Sequence, residues 1–148
     1  LAATNVDFGP IKKAVDKCCK TPEECGDCPQ NKCLIGFAQI AVEYATQRST
    51  FRIPRGNELI PQQDFKVYYH EDLNRALVEI LCQCQNCQDS HEEECVINVT
   101  RMALELALLG DNLPYEGSAF TYLMQVNRLH PDAGARLLEG YKERRNIA

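Results

Sequence analysis

The groups in this chain most able to do chemistry are its nine thiols, at Cys18, Cys19, Cys25, Cys28, Cys33, Cys82, Cys84, Cys87 and Cys95. They fall into two clusters separated by a long stretch without cysteine. Each cluster carries a C-x-x-C pair, Cys25/Cys28 in the first and Cys84/Cys87 in the second. A C-x-x-C turn sets two sulfurs on one side of the chain, as a tetrahedral thiolate site requires. Cys33 extends the first set and Cys82 and Cys95 extend the second. Cys18 and Cys19 are adjacent, and neighbours in a helix point about 100° apart, so one of the two is expected to ligate. That gives four ligands per cluster, the number in a closed zinc site, and leaves one spare thiol. An odd count also means that at least one thiol stays outside any intramolecular disulfide. A variant has Cys25, Cys28, Cys84 and Cys87 sharing one ion between the two loops.

Zinc is the metal expected first. Iron–sulfur ligation uses the same donors, but the spacings Cys25-x2-Cys28-x4-Cys33 and Cys82-x-Cys84-x2-Cys87-x7-Cys95 match neither the bacterial nor the plant ferredoxin pattern. An iron–sulfur protein for electron transfer, sensing or cluster assembly is thus the alternative. The third reading is a disulfide framework in an exported binding module, in keeping with dense thiols and the Asn98-Val99-Thr100 sequon. Against it stand the odd count, a chain long enough for a core of its own, and the place of Asn98 in a helix expected to be buried. Cys33 and Cys95 could also serve as small buried apolar residues. That does not extend to Cys82, Cys84 and Cys87 in a polar loop.

The remaining polar residues say less. His91 lies between Cys87 and Cys95 and is more readily a solvated residue than a ligand. His70 and His130 read as helix-boundary residues. Glu92, Glu93 and Glu94 suit the first turn of a helix, where acids complement the dipole. No Gly-rich phosphate loop and no H-E-x-x-H pair is present, so no enzymatic class is indicated and no catalytic residue is assigned.

The thiols need rigid elements to position them, and the apolar spacing supplies helices. Helical periodicity runs over 11–19, 33–47, 71–84, 92–109, 118–129 and 131–145. Asn31 and Ser90 are candidate N-caps for the second and fourth, the latter with Glu93 as a capping box. Gly110 ends the fourth helix, and Pro131 opens the last. The fourth is apolar on nearly every side and must be buried. Residues 48–70 differ: Pro54, Gly56 and Pro61 break helix, and strand-like runs flank them, so a short β-hairpin or an aromatic-pinned loop is expected there. Such a long non-helical insert is the natural place for a protein partner.

The fold class expected is all-α, a compact bundle of about six helices in one domain. The segments 10–47 and 71–110 share one order, helix, thiol loop, buried helix, and read as a pseudo-repeat followed by a C-terminal helical hairpin at 118–145. A net charge of −5 gives no electrostatic footprint for nucleic acid. No apolar run reaches the ~18 residues of a membrane span. The opening segment lacks the basic and apolar regions of a signal peptide, and one could have been removed already. Unpaired thiols imply the cytoplasm; disulfides would imply export. The function expected is interaction or regulation by a metal-stabilised domain.

Overall fold

The computed structural model describes residues 8–19, 33–48, 50, 52–62, 69–83, 95–113, 115 and 118–144. Among them six α-helices form: α1 (Phe8–Cys18), α2 (Leu34–Gln47), α3 (His70–Cys82), α4 (Val96–Leu109), α5 (Ala119–Leu129) and α6 (Pro131–Arg144). The all-helical class expected from the periodicity is the one observed.

α1, α2, α4 and α3 pack in a closed ring, each against the next, while α6 rests on α3 and pairs with α5. Apolar residues at helical spacing build the shared interior. Ile11 and Val15 come from α1, Ile35, Ala38 and Val42 from α2, Leu73, Leu77 and Ile80 from α3, and Val99, Ala103 and Leu104 from α4. α2 and α4 are the most apolar of the six, as befits helices buried on several faces. α5 starts at the cap its sequence offers, since the Ser118 hydroxyl accepts a hydrogen bond from the Thr121 amide at 3.4 Å. Gly110 closes α4 in the left-handed conformation, at φ 75°, where glycine carries no steric penalty.

Two contacts orient the ring. The Cys18 thiol at the end of α1 donates to the Asp72 carbonyl in the first turn of α3, at 3.3 Å. Arg52, just beyond α2, forms an antiparallel bridge with Cys95 at the head of α4. In both pairs the end of one helix therefore meets the start of the other.

Some boundaries differ from expectation. α4 begins at Val96 with Cys95 as an extended N-cap, four residues after the expected start at 92. Cys95 is held extended by its bridge to Arg52, so the helix cannot run back through it, and Ser90 does not cap it. Cys33 fills the same role for α2, so Asn31 does not cap that helix. Within 48–70 the described residues form no strand; they form the bridge, a left-handed turn at Arg55 (φ 59°) and a 3-10 turn at Gly56–Glu58, and residues 63–68 of the expected hairpin lie outside the described residues. Among the described residues of the insert, Ile53 and Ile60 are buried and Tyr69 is exposed. Gly56 lies so close to Val99 that a Cβ there would stand 3.0 Å from the valine methyl. Phe51, Phe65 and Tyr68 lie outside the described residues.

Candidate functional site

The structure places five of the nine cysteines. Cys18 ends α1, Cys19 follows it on the surface, Cys33 caps α2, Cys82 ends α3 and Cys95 caps α4. Cys25, Cys28, Cys84 and Cys87 lie outside the described residues, as does His91. Each helical hairpin thus has a cysteine where its first helix stops and another where its second begins. Among the described residues no three Cys, His, Asp or Glu side chains converge closely enough to hold a metal.

Helix geometry sets the spread of these thiols. Cys18 meets the start of α3, whereas Cys82 stands ten residues on at its other end, about 15 Å away at 1.5 Å per residue. Likewise Cys95 meets the segment after α2, whereas Cys33 begins that helix, about 20 Å away by the same rise. The helix-end thiols of the two clusters are therefore brought to opposite ends of the ring.

Their environments differ. Cys18 is 2% exposed and its thiol donates to two backbone carbonyls, Ala14 at 3.5 Å and Asp72 at 3.3 Å. Burial, reinforced by the charge of Asp72, pushes its pKa up to about 12. It is a protonated core residue. Cys33, Cys82 and Cys95 are half-buried at the edge of the core. Cys82 also lies in the field of Arg144, whose guanidinium is held charged chiefly by its hydrogen bond to Glu79, then by that carboxylate's charge, with a smaller contribution from Cys82.

His70 opens α3 and His130 caps α5, the boundary positions expected of them. Asn98 of the sequon is 3% exposed and its side-chain oxygen accepts a hydrogen bond from Arg101 at 3.0 Å. The folded chain leaves no room there for a glycan.

A second constellation was not anticipated. Arg101 and Glu105, one turn apart on α4, are 2% and 0% exposed and pair at 3.1 Å. The Glu105 carboxylate also accepts from the Tyr122 hydroxyl of α5, the Asn112 side chain (2.8 Å) and the Leu113 amide (3.0 Å). Arg101 sits over the rings of Tyr115 and Tyr122, at 4.6 and 5.2 Å. Burial, and next to it the charge of Glu105, raises the Tyr122 hydroxyl above its ordinary value, with Arg101 opposing. The cluster staples α5 and the preceding loop to α4. Its signal was present in the sequence: charges at i and i+4 in an otherwise apolar helix share a face and must pair with each other if that face is buried.

No protein family, curated protein or solved structure matches this chain. No helix among the described residues is long and apolar enough to cross a membrane.

Proposed function

We propose that this chain is a metal-stabilised helical module in which zinc clamps each of two helix–loop–helix units, leaving its outer surface for a protein partner. The observation that carries this reading is the matched placement of cysteines at the end of the first helix and the N-cap of the second in both hairpins. The opposed helix ends in the α1–α3 and α2–α4 pairs support the internal repeat. One site takes Cys19, Cys25, Cys28 and Cys33, the other Cys82, Cys84, Cys87 and Cys95. Cys18, spent on backbone carbonyls in the core, is the spare thiol. Separation of the clusters favours two ions over one shared between the loops.

The partner surface is the outer side of the insert, where Leu59 and Tyr69 are exposed while Ile53 and Ile60 anchor the segment from beneath. Because those anchors are in the core, Leu59→Ser is the informative variant: it should weaken capture of a partner and leave folding intact. Retained thiolates accord with a reducing compartment such as the cytoplasm.

Elemental analysis of protein purified without oxygen, with an absorption spectrum alongside, tests the metal. Two zinc per chain and no visible band support the reading. Iron with matching sulfide and a band near ~400 nm would replace it by the iron–sulfur alternative. No metal, with the thiols paired as disulfides, would replace it by the exported module.

A further inference from the structure

Leu59, the exposed residue of the partner surface, is carried on a turn that is seated on the head of α4. Residues 53–59 hold one another through their backbone. The Gly56 amide donates to the Ile53 carbonyl at 2.9 Å, the Glu58 amide to that of Arg55 at 3.0 Å and the Leu59 amide to that of Gly56 at 3.1 Å. A turn bonded in this way moves as one piece, with Leu59 at its exposed end.

Two contacts seat it. Arg52, just before the turn, forms the antiparallel bridge with Cys95, the extended N-cap of α4. Gly56 lies against Val99, where a Cβ would stand 3.0 Å from the valine methyl and 2.9 Å from that of Ile53. Both contacts fall on one turn of α4, since the Val99 amide donates to the Cys95 carbonyl at 2.8 Å. Whatever fixes that turn fixes the seat of the insert.

Cys95 therefore belongs to two structures at once. Its backbone is half of the bridge, and its sulfur is a ligand of the second proposed zinc site. Order imposed at Cys95 by one of these need not be imposed again by the other, so each favours the other. Cys33, of the first site, begins α2 at the far end of that helix from Arg52, about 20 Å away.

We infer that the second site regulates the partner surface: zinc at Cys82, Cys84, Cys87 and Cys95 seats the insert on α4 and so presents Leu59, whereas zinc at the first site does not. The inference rests on the two-clamp reading and gives its two ions different work. One clamps a hairpin, and the other clamps a hairpin and switches a binding surface.

The experiment follows amide hydrogen exchange over residues 52–60 together with zinc content, on the full chain, with zinc and after chelation. The variants are Cys82→Ser and Cys33→Ser. Cys82 ends α3 and forms no part of the bridge, so its loss reaches the insert through the site. Exchange over 52–60 should quicken about tenfold on chelation and in Cys82→Ser, and should keep the parent rate in Cys33→Ser. Coupling of this kind is reciprocal. Gly56→Ala, which forces the turn away from Val99, should therefore weaken the ion that remains in Cys33→Ser by about the same factor and leave the ion that remains in Cys82→Ser unchanged. Zinc bound without any response over 52–60, an equal response in Cys33→Ser, or Gly56→Ala binding zinc as the parent does would each overturn the inference while the two clamps stand. A parent chain that binds no zinc would remove the two-clamp reading and the inference with it.

Discussion

Arg101 and Glu105 show how single residues decide the interior of this protein. Taking an ion pair out of water is expensive, and it is tolerated here because Glu105 accepts from Tyr122, Asn112 and Leu113 while Arg101 lies over two rings. Removing one partner strands the other. Glu105→Ala should therefore destabilise the chain by about 3–5 kcal/mol in denaturant unfolding, and the double variant Arg101→Met with Glu105→Leu should cost clearly less. Equal losses in the two would show that the pair carries no mutual dependence. Cys18 gives a second prediction. Its folded thiol keeps its proton to about 12, while an unfolded thiol gives it up near 9.0. Above 9.0 the unfolded state holds fewer protons, so the contribution of Cys18 is complete below 9.0 and is lost as pH rises toward 12. Cys18→Ala should flatten that alkaline decline in unfolding midpoint and leave metal content unchanged, whereas Cys19→Ala should remove one ion. The cysteines were legible in the sequence as a set, but which of the adjacent pair is buried was not. Only the packing of α1 against Asp72 decides it.

At the scale of elements, apolar spacing located all six helices, because a buried face imposes its period on the sequence. The start of α2 fell within one residue of the expected 33, whereas that of α4 was not legible. A polar residue that could cap competes with tertiary contacts that hold the chain extended, and at Cys95 the bridge to Arg52 wins. In the insert, the described part of the strand-like composition answers to burial, with Ile53 and Ile60 in the core, and residues 63–68 lie outside the described residues. The α5–α6 crossing offers a clean test of helix packing. A Cβ at Gly134 would lie 2.3 Å from the Asn127 Cα and 2.6 Å from its nitrogen, both backbone atoms that cannot rotate aside. Gly134→Ala gains about 1 kcal/mol of helix propensity but must push α5 away, at a cost of overpacking that outweighs it. A net loss of about 1–3 kcal/mol is expected. Gly140→Ala faces only the Val78 methyl at 3.2 Å, a side chain able to yield, and should be close to neutral. If both changes were neutral, the two helices would not be in the close contact seen here.

For the whole molecule, the question is what the two thiol clusters do to the stability of the ring between them. Each lies where one helix ends and its partner begins, so each would fix a hairpin at its open loop, and neither substitutes for the other across the length of α3. Ligands that bind only the folded state stabilise it by mass action, and once sites are saturated each tenfold rise in free ligand adds about 1.4 kcal/mol per site. The slope of unfolding free energy against the logarithm of free zinc therefore counts the ions. Two separate clamps predict about 2.8 kcal/mol per decade in zinc-buffered denaturant titrations. One ion shared between the loops predicts about 1.4 kcal/mol. Disulfides predict no slope, together with a collapse of stability on adding reductant. Removing Cys33 should halve the slope of a two-ion protein while leaving the site at Cys82 and Cys95 in place, because the fold holds the helix-end thiols of the two clusters about 15–20 Å apart. In a site shared by Cys25, Cys28, Cys84 and Cys87 the same change would leave the slope at about 1.4 kcal/mol per decade. The two outcomes differ by a factor in a measured slope, so they separate the metal arrangements without requiring the identity of any partner.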